Sequence, residues 1–207
     1  MVYYGQNLDD KIVHEYFGNY KGTLLDIGSN DGKSLSNSLA LIEQGWSAVL
    51  VEPSPKAFAK LSQLHEGNPY VSCIQVAISD VEGDLDFYDS GEHLGKGDTS
   101  LLSSLDGNEI KRWHNTTTFE PIKVKVEKWD TFLQKSPLKK FDFISIDAEG
   151  VDITILKQMN LNELGCKCLI IEWNSIPQNK AQIESIVIPQ GFKLLHLNGE
   201  NLIFVKL

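Results

Sequence analysis

The chain has 207 residues, 42% hydrophobic and 23% charged, a composition that argues against disorder or a fibre and suits one core with an insertion better than two full domains. Its 19 Lys and Arg against 28 Asp and Glu leave a formal charge of -9, which speaks against a broad electrostatic grip on nucleic acid. No apolar run approaches the roughly 18 residues of a membrane span, and the opening MVYYGQNLDDKIVHEYF has neither the cationic start nor the apolar core of a signal peptide, so a cytoplasmic location is expected.

GTLLDIG (22–28) is a short apolar run closed by glycine, the pattern of a buried parallel strand, and SLSNSLALIEQG (34–45) follows with helical spacing and a glycine stop. SAVLVEP (47–53) reads as a second strand, and the Ser-Pro of SPKAFAKLSQLHEG opens a helix. YVSCIQVAIS predicts a third strand, FDFISID a fourth and KCLIIEW a fifth, with helices around 153–159 and 178–188. Strands and helices alternating at this spacing build a parallel sheet covered on both faces. The ending, GFKLLHLNGENLIFVKL, holds two strands joined by Asn198-Gly199-Glu200-Asn201 and adds an antiparallel edge. Between the third and fourth strands, residues 80–140 form an insertion in which GDLDFYD and PIKVKVEKW are added strands around a polar middle; substrate selection is expected there. Cys73, Cys166 and Cys168 are odd in number and sit in apolar runs, which reads as buried free thiols.

In LLDIGSNDG, Asp26, Gly28 and Gly32 straddle the first strand-to-helix turn, where glycine lets the backbone bend tightly and approach a ligand. A dinucleotide fingerprint would require glycine at 28, 30 and 33; Asn30 and Lys33 stand at the last two positions, so NAD is disfavoured. Glu52 ends the second strand, where a carboxylate can accept hydrogen bonds from both hydroxyls of a ribose. A ribose without a pyrophosphate fits this pair of features.

Asp26-x-Gly28-x-x-x-Gly32 followed by Glu52 resembles the cofactor site of class I S-adenosylmethionine-dependent methyltransferases. Within that group the chain is most similar to the FkbM family of O-methyltransferases: YYGQNLDDKIV resembles its opening segment, VEKWDTFL its strand before the fourth, and FISIDAEGVDITIL its Asp-x-Glu-Gly signature. The resemblance implies a single α/β domain over residues 1–207. Its doubly wound, seven-stranded, mostly parallel sheet would have an antiparallel last strand and a small β/loop insertion between the third and fourth core strands. S-adenosylmethionine is the implied cofactor. Asp26, Gly28, Ser29 and Asn30 would line its methionine half, Glu52 would hold the ribose, Pro53 and Ser54 would flank the adenine, and Ala77, Ile78 and Ser79 would shape the adenine pocket. Gln6 and Asp9 would close over it, with an ordinary helix-start cap as the competing reading.

Asp147 and Glu149 fall where the fourth strand ends, the side of an open α/β sheet on which ligands bind, and alternation puts both on one face if the strand continues through them. Glu172 could join them from the fifth strand. Three readings stay open: these acids position the cofactor or the acceptor, one of them is the general base, or together they ligate Mg²⁺, the least favoured of the three. Among the histidines, His93, His114 and His196 could reach an acceptor, and Trp113 could stack on a sugar face. The function expected is O-methylation of a hydroxyl on a small molecule or glycan. A cofactor-binding module that regulates a partner without turnover is the alternative.

Overall fold

The computed structural model describes residues 1–95 and 97–207; Lys96 of the insertion lies outside the described residues. In chain order, α1 (Asp9–Phe17) precedes β1 (Thr23–Ile27), α2 (Leu39–Glu43), β2 (Ser47–Val51), α3 (Pro55–Leu64) and β3 (Val71–Ile74). β4 (Ala77–Ile78) precedes the insertion, which contributes β5 (Gly83–Ser90), α4 (Gly107–Trp113), β6 (Phe119–Glu127) and α5 (Trp129–Lys135). The chain then runs through β7 (Phe143–Ile146), α6 (Asp152–Leu156), β8 (Cys168–Glu172), α7 (Pro177–Val187), β9 (Phe192–Leu197) and β10 (Asn201–Lys206).

The central strands β2, β7 and β8 are almost continuously apolar because both faces of the sheet are covered there. The strands' two-residue period divides the core: Leu24, Leu50, Phe143 and Ile170 pack with Val13, Leu41, Trp46 and Leu61 on one face. Leu25, Val49, Ile144 and Ile171 pack with Phe132, Ile155 and Ile183 on the other. Seven strands form the main sheet in the order β3-β2-β1-β7-β8-β10-β9, with β10 antiparallel to both its neighbours, so the fold is the expected mostly parallel α/β sheet with an antiparallel last strand. The order reverses between β1 and β7, and the crevice beyond the carboxyl ends of these strands is where such sheets bind ligands. Among the described residues no helix is long and apolar enough to cross a membrane.

Three expectations are corrected. YVSCIQVAIS is two strands: β3 joins the main sheet, whereas β4 pairs with β6 in a separate three-stranded sheet, β4-β6-β5. A two-residue period shows which face is buried but not which sheet receives the strand. In SLSNSLALIEQG only Leu39–Glu43 is α-helical. The Ser36 hydroxyl accepts from the backbone N–H groups of Ser38 and Leu39, and the Ser38 hydroxyl donates to Asp26, so serine side chains compete with the helix's own bonds. VEKWDTFL leaves its strand at Glu127 and turns helical, since Trp129 and Phe132, three apart, both bury against the core.

The N-terminal helix is clasped to the far edge of the sheet. Asp9 is fully buried, and its two carboxylate oxygens accept from the side-chain amides of Asn198 (2.7 Å) and Asn201 (3.0 Å) in the β9–β10 turn. Asp9 therefore neither caps α1 nor lines the cavity described below. Asp9→Ala removes both charge-assisted bonds and leaves two amides short of an acceptor. We expect a loss of about 2–3 kcal/mol, read in urea as a lowered midpoint at constant m-value.

Candidate active site

Four strand ends converge on one cavity of about 390 Å³: Gly28 after β1, Glu52 after β2, Asp147 after β7 and Glu172 at the end of β8 all line it. Gly28 is held at φ +85°, and a Cβ there would come within 1.7 Å of the Asp147 carbonyl oxygen, so the turn passes the neighbouring strand at a distance only glycine permits. The N–H groups of Gly28 and Ser29 both donate to the carbonyl of Val51, which bends the turn toward β2. Asn30, in the left-handed region at φ 48°, then donates its backbone N–H to Glu52 Oε2 at 2.9 Å, and Ser54 N–H donates to Oε1 at 2.7 Å. Each Glu52 oxygen keeps a lone pair for a ligand. Burial pushes the Glu52 carboxyl up to about 8 despite the two amide bonds. Burial likewise raises Asp26 to about 6, although it accepts from the Ser38 hydroxyl at 2.6 Å.

The second half of the cavity is acidic. β7 stops at Ile146, so Asp147 and Glu149 lie on a loop and do not share a strand face as strict alternation predicted; both line the cavity all the same. The loop is shaped by Asp152, whose Oδ1 accepts from Ala148 N–H (2.8 Å) and whose Oδ2 accepts from Gly150 N–H (3.1 Å). Glu149 takes φ 46°, and its carbonyl accepts from the Ser104 hydroxyl of the insertion. Helix α4 covers the loop, with Glu109 Cγ 3.1 Å from where a Gly150 Cβ would stand. Burial, reinforced by the Asp152 carboxylate, pushes Asp147 up to about 7. Burial and neighbouring carboxylates hold Glu149 and Glu172 well above the usual range. None of the ion pairs among the described residues involves Asp147, Glu149, Asp152 or Glu172.

Backbone strain gathers at the same cavity. Of the non-glycine residues with positive φ, Asn30, Leu35, Ser100, Glu149, Asn174 and Ser175 line it, while Asn7 and Leu8 do not. Such conformations cost of order 1–3 kcal/mol each and cluster where a site requires them.

Gln6, Asp26, Ser29, Asn30, Pro53, Ala77 and Ile78 also line the cavity, but Ser54 and Ser79 do not. Ser54 is buried, caps α3 by accepting from Ala57 N–H, and shares a hydrogen bond with Ser100. Ser79 spends its backbone groups on Glu127 and Gln158 and its hydroxyl on Asp80. His93 and Trp113 line the insertion side, whereas His114 and His196 lie away from it. Sequence reasoning missed the wall formed by Ser100–Ser103, the single arginine Arg112, and Asn174 with Ser175. The polar pair right after IIEW was a usable signal for the last two; the others come from an insertion whose return over the cavity has no local mark.

The donor set suits S-adenosylmethionine. Asp26, Glu52, Asp147, Glu149, Glu172 and Glu200 line the cavity together with Arg112, and a ligand carrying a sulfonium and an ammonium would draw these raised carboxyls toward their ionised form. Glu172 Oε2, buried and without a hydrogen-bond partner among the described residues, points to the same demand for a donor or cation.

A sequence model of the methyltransferase FkbM domain matches residues 26–195. The 2-O-methyltransferase NoeI of Sinorhizobium fredii (strain NBRC 101917 / NGR234) is 28% identical over 135 residues, 64% of this chain and 55% of that protein, so the chain spans about half the length of this curated relative. Among solved structures, a methyltransferase FkbM from Methylobacillus flagellatus KT aligns with a TM-score of 0.57 at 11% identity, over 89% of this chain and 43% of that one. A ribosomal protein L11 methylase from Lactobacillus delbrueckii subsp. bulgaricus aligns with a TM-score of 0.53 at 12% identity, over 97% and 78%. At these identities the structural likeness concerns the fold alone.

Proposed function

The chain belongs to the FkbM methyltransferase family, and from that membership we propose that it transfers a methyl group from S-adenosylmethionine to a hydroxyl oxygen of a small molecule or glycan. The observation that carries this reading is the junction of two half-sites in one cavity: the Gly28 turn with Glu52 for a nucleoside, and the Asp147–Glu149–Glu172 acids for a cation and a proton. The name of the relative from Sinorhizobium fredii, a 2-O-methyltransferase, supports an oxygen acceptor. We read residues 1–207 as one domain and residues 80–140 as its acceptor side, supported by His93, Arg112 and Trp113 on the cavity wall.

Bound S-adenosylmethionine supplies a methyl carbon on a sulfonium that departs as a neutral thioether. Glu52 receives the ribose hydroxyls on the lone pairs left by its bonds from Asn30 and Ser54. Pro53, Ala77 and Ile78 form the slot for the adenine, and Asp26 and Asn30 hold the turn beside the methionine half. This chain's part in the transfer would be to hold the acceptor hydroxyl in the cavity and take its proton on a carboxylate. Asp147 suits that role, because a carboxyl raised to about 7 is both partly ionised and a useful base near neutrality. Glu149 and Glu172 line the cavity beside Asp147 and would orient the acceptor hydroxyl, with burial and neighbouring carboxylates holding both well above the usual carboxylate range.

Calorimetry with S-adenosylhomocysteine tests the cofactor half, and absence of binding removes the whole proposal. For the chemistry, Asp147→Asn and Glu149→Gln are each expected to slow methyl transfer about 100-fold, with far smaller changes in S-adenosylhomocysteine affinity. Full turnover in Asp147→Asn overturns the assignment of the base, and full turnover in Glu149→Gln overturns its orienting role. An acceptor panel of sugars and alcohols read by mass spectrometry for a one-methyl gain supplies the assay.

A further inference from the structure

We propose that Asp147, Asp152 and Glu172 form a binding site for a hard divalent cation, of the Mg²⁺, Mn²⁺ or Ca²⁺ class, at the inner end of the cavity. Each residue offers a carboxylate oxygen, and the three atoms lie within 4.8 Å of one another. Two oxygens on one hard cation, at about 2.0–2.6 Å each, stand at most about 4–5 Å apart, so this spacing already meets a shared coordination shell.

The three ligands come from the loop after β7, the first residue of α6 and the end of β8, and are held differently. Asp152 is fixed by its bonds from the Ala148 and Gly150 N–H groups and opens no face to the cavity. Asp147 and Glu172 do line it. Glu172, only 9% exposed, is aimed into the cluster from the neighbouring strand, and its Oε2 has no hydrogen-bond partner among the described residues. Among the described residues no lysine or arginine pairs with any of the three. An isolated buried carboxylate is costly, and here several share one low-dielectric region. An organic cation confined to the cavity meets Asp147 and Glu172 but not Asp152 behind them; a small ion can be shared by all three. The set differs from the trio expected from residue order, since Asp152 replaces Glu149. Coordination by the site stands on this geometry. Only its use, holding the acceptor oxygen in an open coordination position, rests on the methyl-transfer reading above.

The test is a titration of the full, EDTA-treated chain with Mn²⁺, following free Mn²⁺ by electron paramagnetic resonance, with Mg²⁺ and Ca²⁺ as competitors. One ion per chain is expected with Kd at or below about 1 mM. Glu172→Gln is expected to weaken it at least about tenfold and to abolish the rise in Tm that saturating Mn²⁺ gives the unsubstituted protein. If Glu172→Gln loses its native circular dichroism, Asp147→Asn, at a partly exposed position, takes its place with the same expectation. Lack of saturable binding, or equal affinity in the variant, overturns the site. S-adenosylhomocysteine is titrated in parallel: binding of it without Mn²⁺ binding rejects the cation site and leaves the methyltransferase reading standing, while the reverse pattern does the opposite.

Discussion

Gly28→Ala is expected to destabilise the protein by about 2–5 kcal/mol and to abolish binding of S-adenosylhomocysteine. Two costs add. An alanine at φ +85° bears the steric penalty of the left-handed region, about 1–2 kcal/mol. Its Cβ would also stand 1.7 Å from the Asp147 carbonyl oxygen, a backbone atom that cannot swing aside, so β1 and β7 must separate, at about 1–3 kcal/mol or more. Gly67→Ala separates these effects: Gly67 has φ +76° but nothing within 4 Å of its Cβ position, and only the conformational penalty of about 1–2 kcal/mol should appear. Urea unfolding of both variants measures the difference. Equal losses would show that the close approach to Asp147 has no energetic weight. Retained ligand affinity in Gly28→Ala would remove the turn from the proposed cofactor site.

The second large effect is expected at Glu52, where stability and binding should move in opposite directions. Below its ordinary value of 4.5 the carboxyl is protonated in both folded and unfolded chains and contributes no pH dependence. Between 4.5 and about 8 the folded chain keeps a proton that the unfolded chain releases, so the stability present at low pH is lost progressively and is lowest above about 8. Glu52→Gln cannot ionise. The ligand-free variant should therefore be more stable than the unsubstituted chain at pH 8, on the order of 2–4 kcal/mol, with the gap closing toward pH 5. Asp26 and Asp147 are raised by the same cause, to about 6 and about 7, so the variant keeps a shallower slope of the same sign. Binding should suffer above about pH 8, where Glu52 is ionised: an amide accepts the ribose hydroxyls through one neutral oxygen, and S-adenosylhomocysteine affinity there is expected to fall about 100-fold, two charge-assisted bonds being replaced by weaker ones. Parallel pH–stability profiles for the two proteins would refute the buried-carboxyl account, and unchanged affinity would refute the ribose contact.

Much of this site could be read from residue order because its parts are local. A strand that buries both faces must be continuously apolar, so the sudden polar residues at Asp26–Gly28, Glu52, Asp147 and Glu172 marked strand ends, and parallel strands put those ends on one side of the sheet. The turn at Gly28 was legible for the same reason: strand, glycine and helix start are neighbours in the chain.

Contacts between distant segments had no such mark. Asp147 and Glu149 were identified by type, but the extended strand expected to join them is a loop held by Asp152, and that support became visible only with the fold. The two halves of YVSCIQVAIS obey one apolar pattern yet serve two sheets. The insertion is tied to the cofactor side through Ser100, which shares a hydrogen bond with Ser54 and donates to Asp89, and it brings Arg112 and Trp113 over the acid loop. Hydrophobic periodicity encodes how a segment faces the core over a few residues. Which distant segment answers it, and which carboxylates are left buried without a counter-charge, depends on packing between residues tens of positions apart, and that information exists only in the folded chain.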